Sequence, residues 1–292
     1  MIHPLIRAAI LFGFAMFIVY LNRTGEMILY IAPRMELYVK LSALGLYAAA
    51  AYQLFTALQL RSGRSIACAE CDHTPSPSII KNILIYGIFV LPLLLGFLMP
   101  TGTLGSALAA KKGISLTGSA SVSRDRFALE WPMGQSDSMK GDPLNALFPY
   151  DEYTKELAAY GKELYSRPQI LVSEQHFIET LTVLDMYRDA FIGKEVEITG
   201  FVYREETMNS DQLIVGRFAM NCCSADALPY GVLVEWPAAN GYNEDDWVKA
   251  TGQLATTTYL ENEIIMLKLT RIERIAAPDT PYVYPDLSFD FE

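Results

Sequence analysis

Histidine is nearly absent from this sequence: His3, His73 and His176 are the three in 292 residues. No HExxH pair, glycine-rich phosphate loop, or Ser/His/Asp or Cys/His set stands at a recognisable spacing, so no enzymatic activity is expected. Cysteine is confined to two pairs, Cys68/Cys71 and Cys222/Cys223. Basic charge is scarce in the second part of the chain. Residues 113–292 hold fourteen Lys/Arg against twenty-nine Asp/Glu, a net −15, whereas residues 1–112 carry a net +5. An acidic surface of that size repels phosphates and excludes nucleic acid as a partner.

Charge of either sign is missing from most of three N-terminal runs. Residues 5–21 are apolar apart from Arg7, residues 41–60 have only Ser42, Gln53, Thr56 and Gln59 as polar groups, and residues 83–99 are uncharged. As helices rising ~1.5 Å per residue they reach roughly 25–30 Å, the thickness of a bilayer core. The expectation is an integral membrane protein: a three-span anchor over 1–104, in contact with membrane lipid, a linker over 105–150, and an acidic α+β domain over 151–292. Leu21-Asn22-Arg23-Thr24 offers no small-x-small cleavage site, so the first span reads as a retained anchor. No span has an acid, His or Lys in its middle, so the anchor lacks an ion path of its own. Small residues at helical spacing, Ala9/Gly13 and Gly45/Ala49, suit close helix packing, either internally or against a partner.

An odd number of spans puts the N-terminus and the 61–81 loop on one side and the large domain on the other. Arg7, Arg61, Arg64 and Lys81 balance Arg23, Arg34, Lys40, Lys111 and Lys112, so the positive-inside count does not choose a side. Cys68 and Cys71 keep free thiols best in the reducing cytosol, which places the acidic domain outside the cytoplasm.

In that domain, Asp151–Leu164 and residues 174–187, the latter led by Ser173, follow a helical period. From Lys194 the period changes to two. Lys194–Tyr203, Gln212–Asn221, Tyr230–Trp236, Asp246–Leu254 and Glu263–Ile275 read as five strands. Two strands echo each other, residues 193–200 and 246–252, each closing on a glycine where a strand bends sharply, as small barrels require. The expected fold is a five-stranded oligonucleotide-binding-like barrel with flanking helices, or an open sandwich.

The cysteines carry the candidate chemistry. Cys68-Ala-Glu-Cys71-Asp-His73 offers two thiolates and an imidazole to a cation such as zinc, with His3 or Asp72 as a fourth ligand. A thiol redox pair, or no role, is the other reading of that loop. After the second strand, Cys222, Cys223 and Asp226 converge on a cation if the chain bends there, with Glu205/Glu206 or another chain completing the shell. Otherwise one thiol is core and one surface, or the two form a strained vicinal disulfide. His176 reads as a surface residue of an amphipathic helix.

Tyr30-Ile-Ala-Pro-Arg34, the strand Gly193-Lys-Glu-Val-Glu-Ile-Thr-Gly-Phe-Val202, Arg217-Phe with Cys222-Cys223 and Ala225-Asp226-Ala227, Trp247-Val-Lys-Ala-Thr-Gly252 and Pro281-Tyr-Val-Tyr284 together resemble the bacterial YcgQ-like family, domain of unknown function 1980. The resemblance implies one subunit of a two-component permease. Its multi-pass, YcgR-like partner would supply the transport path, and the cargo would be a metal such as zinc. Relatives with a His-rich loop differ from this chain, whose loop has Cys68, Cys71 and His73. The expectation is a membrane-anchored accessory permease subunit that binds or delivers a metal cargo. Its rivals are a membrane-tethered thiol redox protein and a protein-binding scaffold.

Overall fold

A computed structural model describes residues 2–61, 78–99, 102–116, 143–205, 207–286 and 289. The chain falls into two units, divided between Gly102 and Thr103.

The first unit is three helices, α1 (Ile2–Thr24), α2 (Pro33–Arg61) and α3 (Ile79–Leu98). All three are long and apolar enough to cross a membrane. Helices α1 and α2 run side by side after a tight turn at Gly25, which adopts φ 77°. Apart from Leu21, their buried residues are alanines two turns apart, Ala8 and Ala15 on α1 and Ala43, Ala50 and Ala57 on α2. A methyl group every seventh residue keeps one face in register and lets the two backbones approach closely. The small residues singled out from spacing divide differently. A Cβ on Gly13 would stand 2.5 Å from Leu93 of α3, so Gly13 serves packing inside the unit. Gly45 and Ala49 face outward, and nothing lies within 4 Å of a Cβ built on Gly45. His3, offered above as a metal ligand, has its Nδ1 3.0 Å from the Tyr86 hydroxyl of α3.

The second unit is a mainly β sheet with helices packed on it. Its elements are α4 (Ser106–Lys112), α5 (Lys155–Ser166), β1 (Gln169–Leu171), α6 (Phe177–Met186), α7 (Arg188–Phe191), β2 (Glu195–Tyr203), β3 (Gln212–Ala219), β4 (Leu228–Glu235), β5 (Trp247–Tyr259), β6 (Asn262–Arg274) and β7 (Tyr282–Val283). Hydrogen-bonded neighbours run β1-β2-β5-β6-β4-β3-β7. The last three residues of β2 also pair with β3, Phe201 facing Gly216 and Tyr203 facing Ile214. Four strand pairs are antiparallel; β1–β2, β3–β7 and β4–β6 run parallel, the last with Leu233 opposite Met266.

The two sequence echoes turn out to be partners, because β2 and β5 pair antiparallel from Glu195/Gln253 to Phe201/Trp247. The predicted bend at Gly252 is a register shift between β5 and β6. A side chain there would run into the backbone at Lys268 and Leu269. Gly200 performs the same service against the Gly216 backbone.

The segment between anchor and sheet carries more structure than its composition announces. The N-cap residue of α4, Gly105, has no side chain to offer; instead Asp245 accepts the Ser106 N–H at 2.6 Å and the Ser106 hydroxyl at 2.9 Å, pinning the start of the helix. Ser115 then bridges to Tyr230 of β4. Residues 117–142 lie outside the described residues. Farther on, Phe148 is fully buried and meets Tyr165, Tyr187 and Phe191 edge-on, with ring centroids 5.1–5.8 Å apart. Removing such a ring strips burial and leaves a hole that its stiff aromatic neighbours cannot fill. Phe148→Ala should therefore destabilise this unit by about 3–5 kcal/mol, read as a lowered midpoint in chemical denaturation.

Candidate functional site

Strand β3 ends at Ala219, and the next eight residues bend tightly before β4. Asp226 makes the bend. Its Oδ1 accepts the Asn221 N–H at 3.0 Å and its Oδ2 the Cys222 N–H at 2.7 Å, while its own N–H donates to the Cys223 carbonyl at 3.0 Å. An aspartate closing a loop onto backbone donors in this way is turn chemistry that the Cys-Cys-Ser-Ala-Asp spacing permits. A cation pins the loop from outside, since Lys112 at the end of α4 donates to the carbonyls of Ala225 (3.1 Å) and Ala227 (2.6 Å).

The bend brings both thiols to one site, which a straight strand cannot do. Cys222 and Cys223 are free thiols with sulfurs 3.5 Å apart. One ligand atom each from Cys222, Cys223 and Asp226 lies within 4.8 Å of the other two, and this is the sole cluster of its kind among the described residues. Cys222 and Asp226 are exposed and Cys223 is half-buried, so an ion reaches the site from solvent. Each Asp226 oxygen keeps a second lone pair for a ligand. Three ligands and an open position suit a tetrahedral cation such as zinc that must also depart.

The electrostatics oppose an empty thiolate. The Asp226 carboxylate accepts a hydrogen bond from the Cys222 thiol and, with the Cys223 thiol next to it, pushes Cys222 up to about 12. Burial pushes the Asp226 carboxyl upward, but hydrogen bonds from the Cys222 thiol and from the backbone N–H groups around it outweigh burial and hold the group below the usual carboxylate range. A bound divalent cation would reverse the balance at sulfur by supplying the missing positive charge.

The other predicted ligands fare differently. Cys68, Cys71, Asp72 and His73 lie outside the described residues, as does Glu206. Glu205 does not complete the shell. It accepts a hydrogen bond from Tyr259, next to the β2–β3 pairing at Ile214, which is the far end of β3. The five steps from Ile214 to Ala219 alone span about 17 Å. His176 is half-buried at the start of α6, among the rings of Tyr160 and Phe289, with Nδ1 3.5 Å from Asp286 Oδ2. Its place is set by a partner 110 residues away, which an amphipathic pattern does not display.

Two residues escaped sequence reasoning. Arg217 is buried in β3, donates to Glu174 at 2.9 Å and stacks over Trp247, tying the lead into α6 to the sheet. Glu179, in the first turn of α6, is 8% exposed and accepts the Asp286 N–H at 2.9 Å. Burial raises its carboxyl above 4.5, against hydrogen bonds that favour the charge. A raised acid holds its proton more tightly when folded, so its stabilising contribution is complete below pH 4.5 and is lost as pH rises through the folded value. Glu179→Gln should accordingly flatten the decline in stability above pH 4.5, which denaturation midpoints across pH 4–8 would show.

Comparison with known proteins places the whole chain. Residues 6–115 match the DUF1980 N-terminal domain and residues 147–285 the DUF1980 C-terminal domain. The chain belongs to the DUF1980 family. It is 28% identical over 289 residues to the UPF0703 protein YcgQ of Bacillus subtilis strain 168, covering 95% of this chain and 98% of the relative. It is 25% identical over 199 residues to a Streptococcus mutans protein named as a candidate subunit of a two-component membrane permease complex, covering 68% of this chain and 72% of that one. The N-terminal match covers the helical unit and runs on through α4, whereas the C-terminal match lies within the sheet unit and includes the Cys222–Asp226 turn.

Proposed function

We propose that this chain is the membrane-anchored accessory subunit of a two-component permease, holding a soft cation such as zinc at Cys222, Cys223 and Asp226 for its partner. The observation that carries the cation reading is the convergence of two sulfurs and a carboxylate within 4.8 Å on one accessible turn. The permease reading is supported by the name of the Streptococcus mutans relative and by three apolar helices that offer no polar route for cargo. A multi-pass, YcgR-like partner supplies that route. The sheet is taken as an oligonucleotide-binding-type barrel, on the strength of the β2–β3 pairing that returns the strand order to β2 and of the parallel β4–β6 pair. Such a barrel holds a binding turn rigidly at its rim.

At Cys222/Cys223 the thiol redox alternative is disfavoured by Asp226, which suppresses the Cys222 thiolate that such chemistry needs. The anchor is taken to place the acidic domain outside the cytoplasm. In intact cells an impermeant maleimide, given time to react with so weakly ionised a thiol, should then modify the Cys222/Cys223 turn and spare Cys68 and Cys71. Modification of both pairs by the impermeant reagent would sink the three-span arrangement.

A further inference from the structure

Beside the thiol turn lies a cleft of about 350 Å³, bounded by α6, the end of β3 and the segment after β7. Its size is that of a small-molecule pocket. The walls are largely apolar, with Ile178, Met220, Leu228 and Pro285 among them. Three carboxyl groups also line it, those of Glu179, Asp226 and Asp286, and no Lys or Arg does so among the described residues. Asp226 is engaged with the backbone of its own turn, and Asp286 faces His176.

Glu179 is different. Its side chain is more than nine-tenths buried, and Oε1 is satisfied by the Asp286 N–H. Oε2 is wholly buried and has no hydrogen-bond partner among the described residues. A role in fixing the chain at residue 286 accounts for Oε1 and leaves Oε2 unexplained, and a buried carboxyl oxygen without a donor is costly.

We propose that this cleft binds a small organic ammonium, its charged nitrogen donating to Glu179 Oε2 and its apolar body lying against Ile178, Met220 and Leu228. A metal ion fits less well, because among the described residues the ligand atoms close enough to share an ion are those of the thiol turn. An anion would meet three carboxyl groups, and a neutral apolar ligand would leave Oε2 without a donor. A charge-assisted hydrogen bond in a desolvated pocket is strong and directional, and the apolar walls set the size of the guest. This site does not depend on cation binding at Cys222 and Cys223.

The test uses the full chain purified in detergent and benzylammonium, titrated by saturation-transfer NMR at physiological salt, where exposed charges are screened. Benzylammonium should bind saturably, and benzyl alcohol about tenfold to a hundredfold more weakly, the factor expected of a hydrogen bond to a charged group. Glu179→Gln should lose about tenfold or more of the benzylammonium affinity while the chain stays folded, as cooperative unfolding shows. Leu228→Trp, at a half-exposed position on the wall, should fill the cleft and weaken binding without touching the carboxyl. Equal affinity for amine and alcohol, absence of saturable amine binding, or full amine affinity in folded Glu179→Gln overturns the proposal. Should Glu179→Gln fail to fold, unchanged binding in Leu228→Trp overturns it alone.

Discussion

Replacing Cys223 by Ser should weaken zinc binding at this turn on the order of a hundredfold or more, because it removes one of three ligands from a site with no others nearby among the described residues. Binding to the unaltered chain should release protons and strengthen with pH. Cys222 holds its proton up to about 12 while Asp226 is its neighbour, so a cation must displace that proton to form the Cys222 bond. Asp226→Ala separates this account from the redox one. Losing the carboxylate lets Cys222 titrate closer to its ordinary value of 9.0. A redox thiol would then react faster, whereas a zinc site would lose affinity. Calorimetry on both reduced variants checks the two expectations together. With Cys68 and Cys71 also replaced by Ser to silence the loop ligands, micromolar zinc binding that persists in Cys223→Ser, or that is missing when Cys222 and Cys223 are intact, removes the turn as a cation site. The chain must be used whole for this experiment. A fragment beginning at residue 169 would discard Phe148, Ala158 and Leu164, which belong to the core of the sheet unit.

The second large effect concerns the anchor. Gly45→Leu should leave the helices folded yet reduce recovery of a membrane partner several-fold, whereas Gly13→Leu should disturb the anchor itself. The difference is geometric. A side chain at Gly13 collides with Leu93, and overpacking of that kind costs about 1–3 kcal/mol. Gly45 opens onto empty space beside Ala49, on the face of α2 opposite the buried alanines. Bulk placed there harms nothing within the unit but holds off an approaching helix. Equal recovery with Gly45→Leu would remove this face from the interface, and the comparison is read by quantitative co-purification from native membranes.

Much of this architecture is legible in the sequence, for reasons that differ by element. The strands between Lys194 and Ile275 stand out because alternation of period two persists wherever one face is buried. Their ends agree with the structure to a few residues, except that β5 continues through Thr256–Thr258 to Tyr259. The three apolar helices are visible because a bilayer demands long uncharged runs. Helix α4 is hidden: its seven residues sit between glycines, and its anchor is Asp245, far along the chain. Strands β1 and β7, of three and two residues, are too short to show a period.

The site divides in the same way. Cys222, Cys223 and Asp226 are local, so five residues of sequence contain the geometry once the bend is granted. The cleft beside them is not local. Glu179 acquires its burial from the chain at Asp286, and His176 owes its environment to Tyr160 and Phe289. No periodicity links residues a hundred positions apart; tertiary packing alone brings them together. Glu205 shows the converse, since nearness to the thiol pair along the sequence becomes the length of a strand in space.

The central claim is that this chain works as one half of a membrane complex, and purification of the full chain from native membranes under mild detergent tests it most directly. The account predicts that one multi-pass membrane protein accompanies it in fixed stoichiometry, and that Gly45→Leu loses that companion while retaining its own helical content. Recovery of the unaltered chain alone and monodisperse, with no companion after gentle cross-linking in the membrane, would contradict the account.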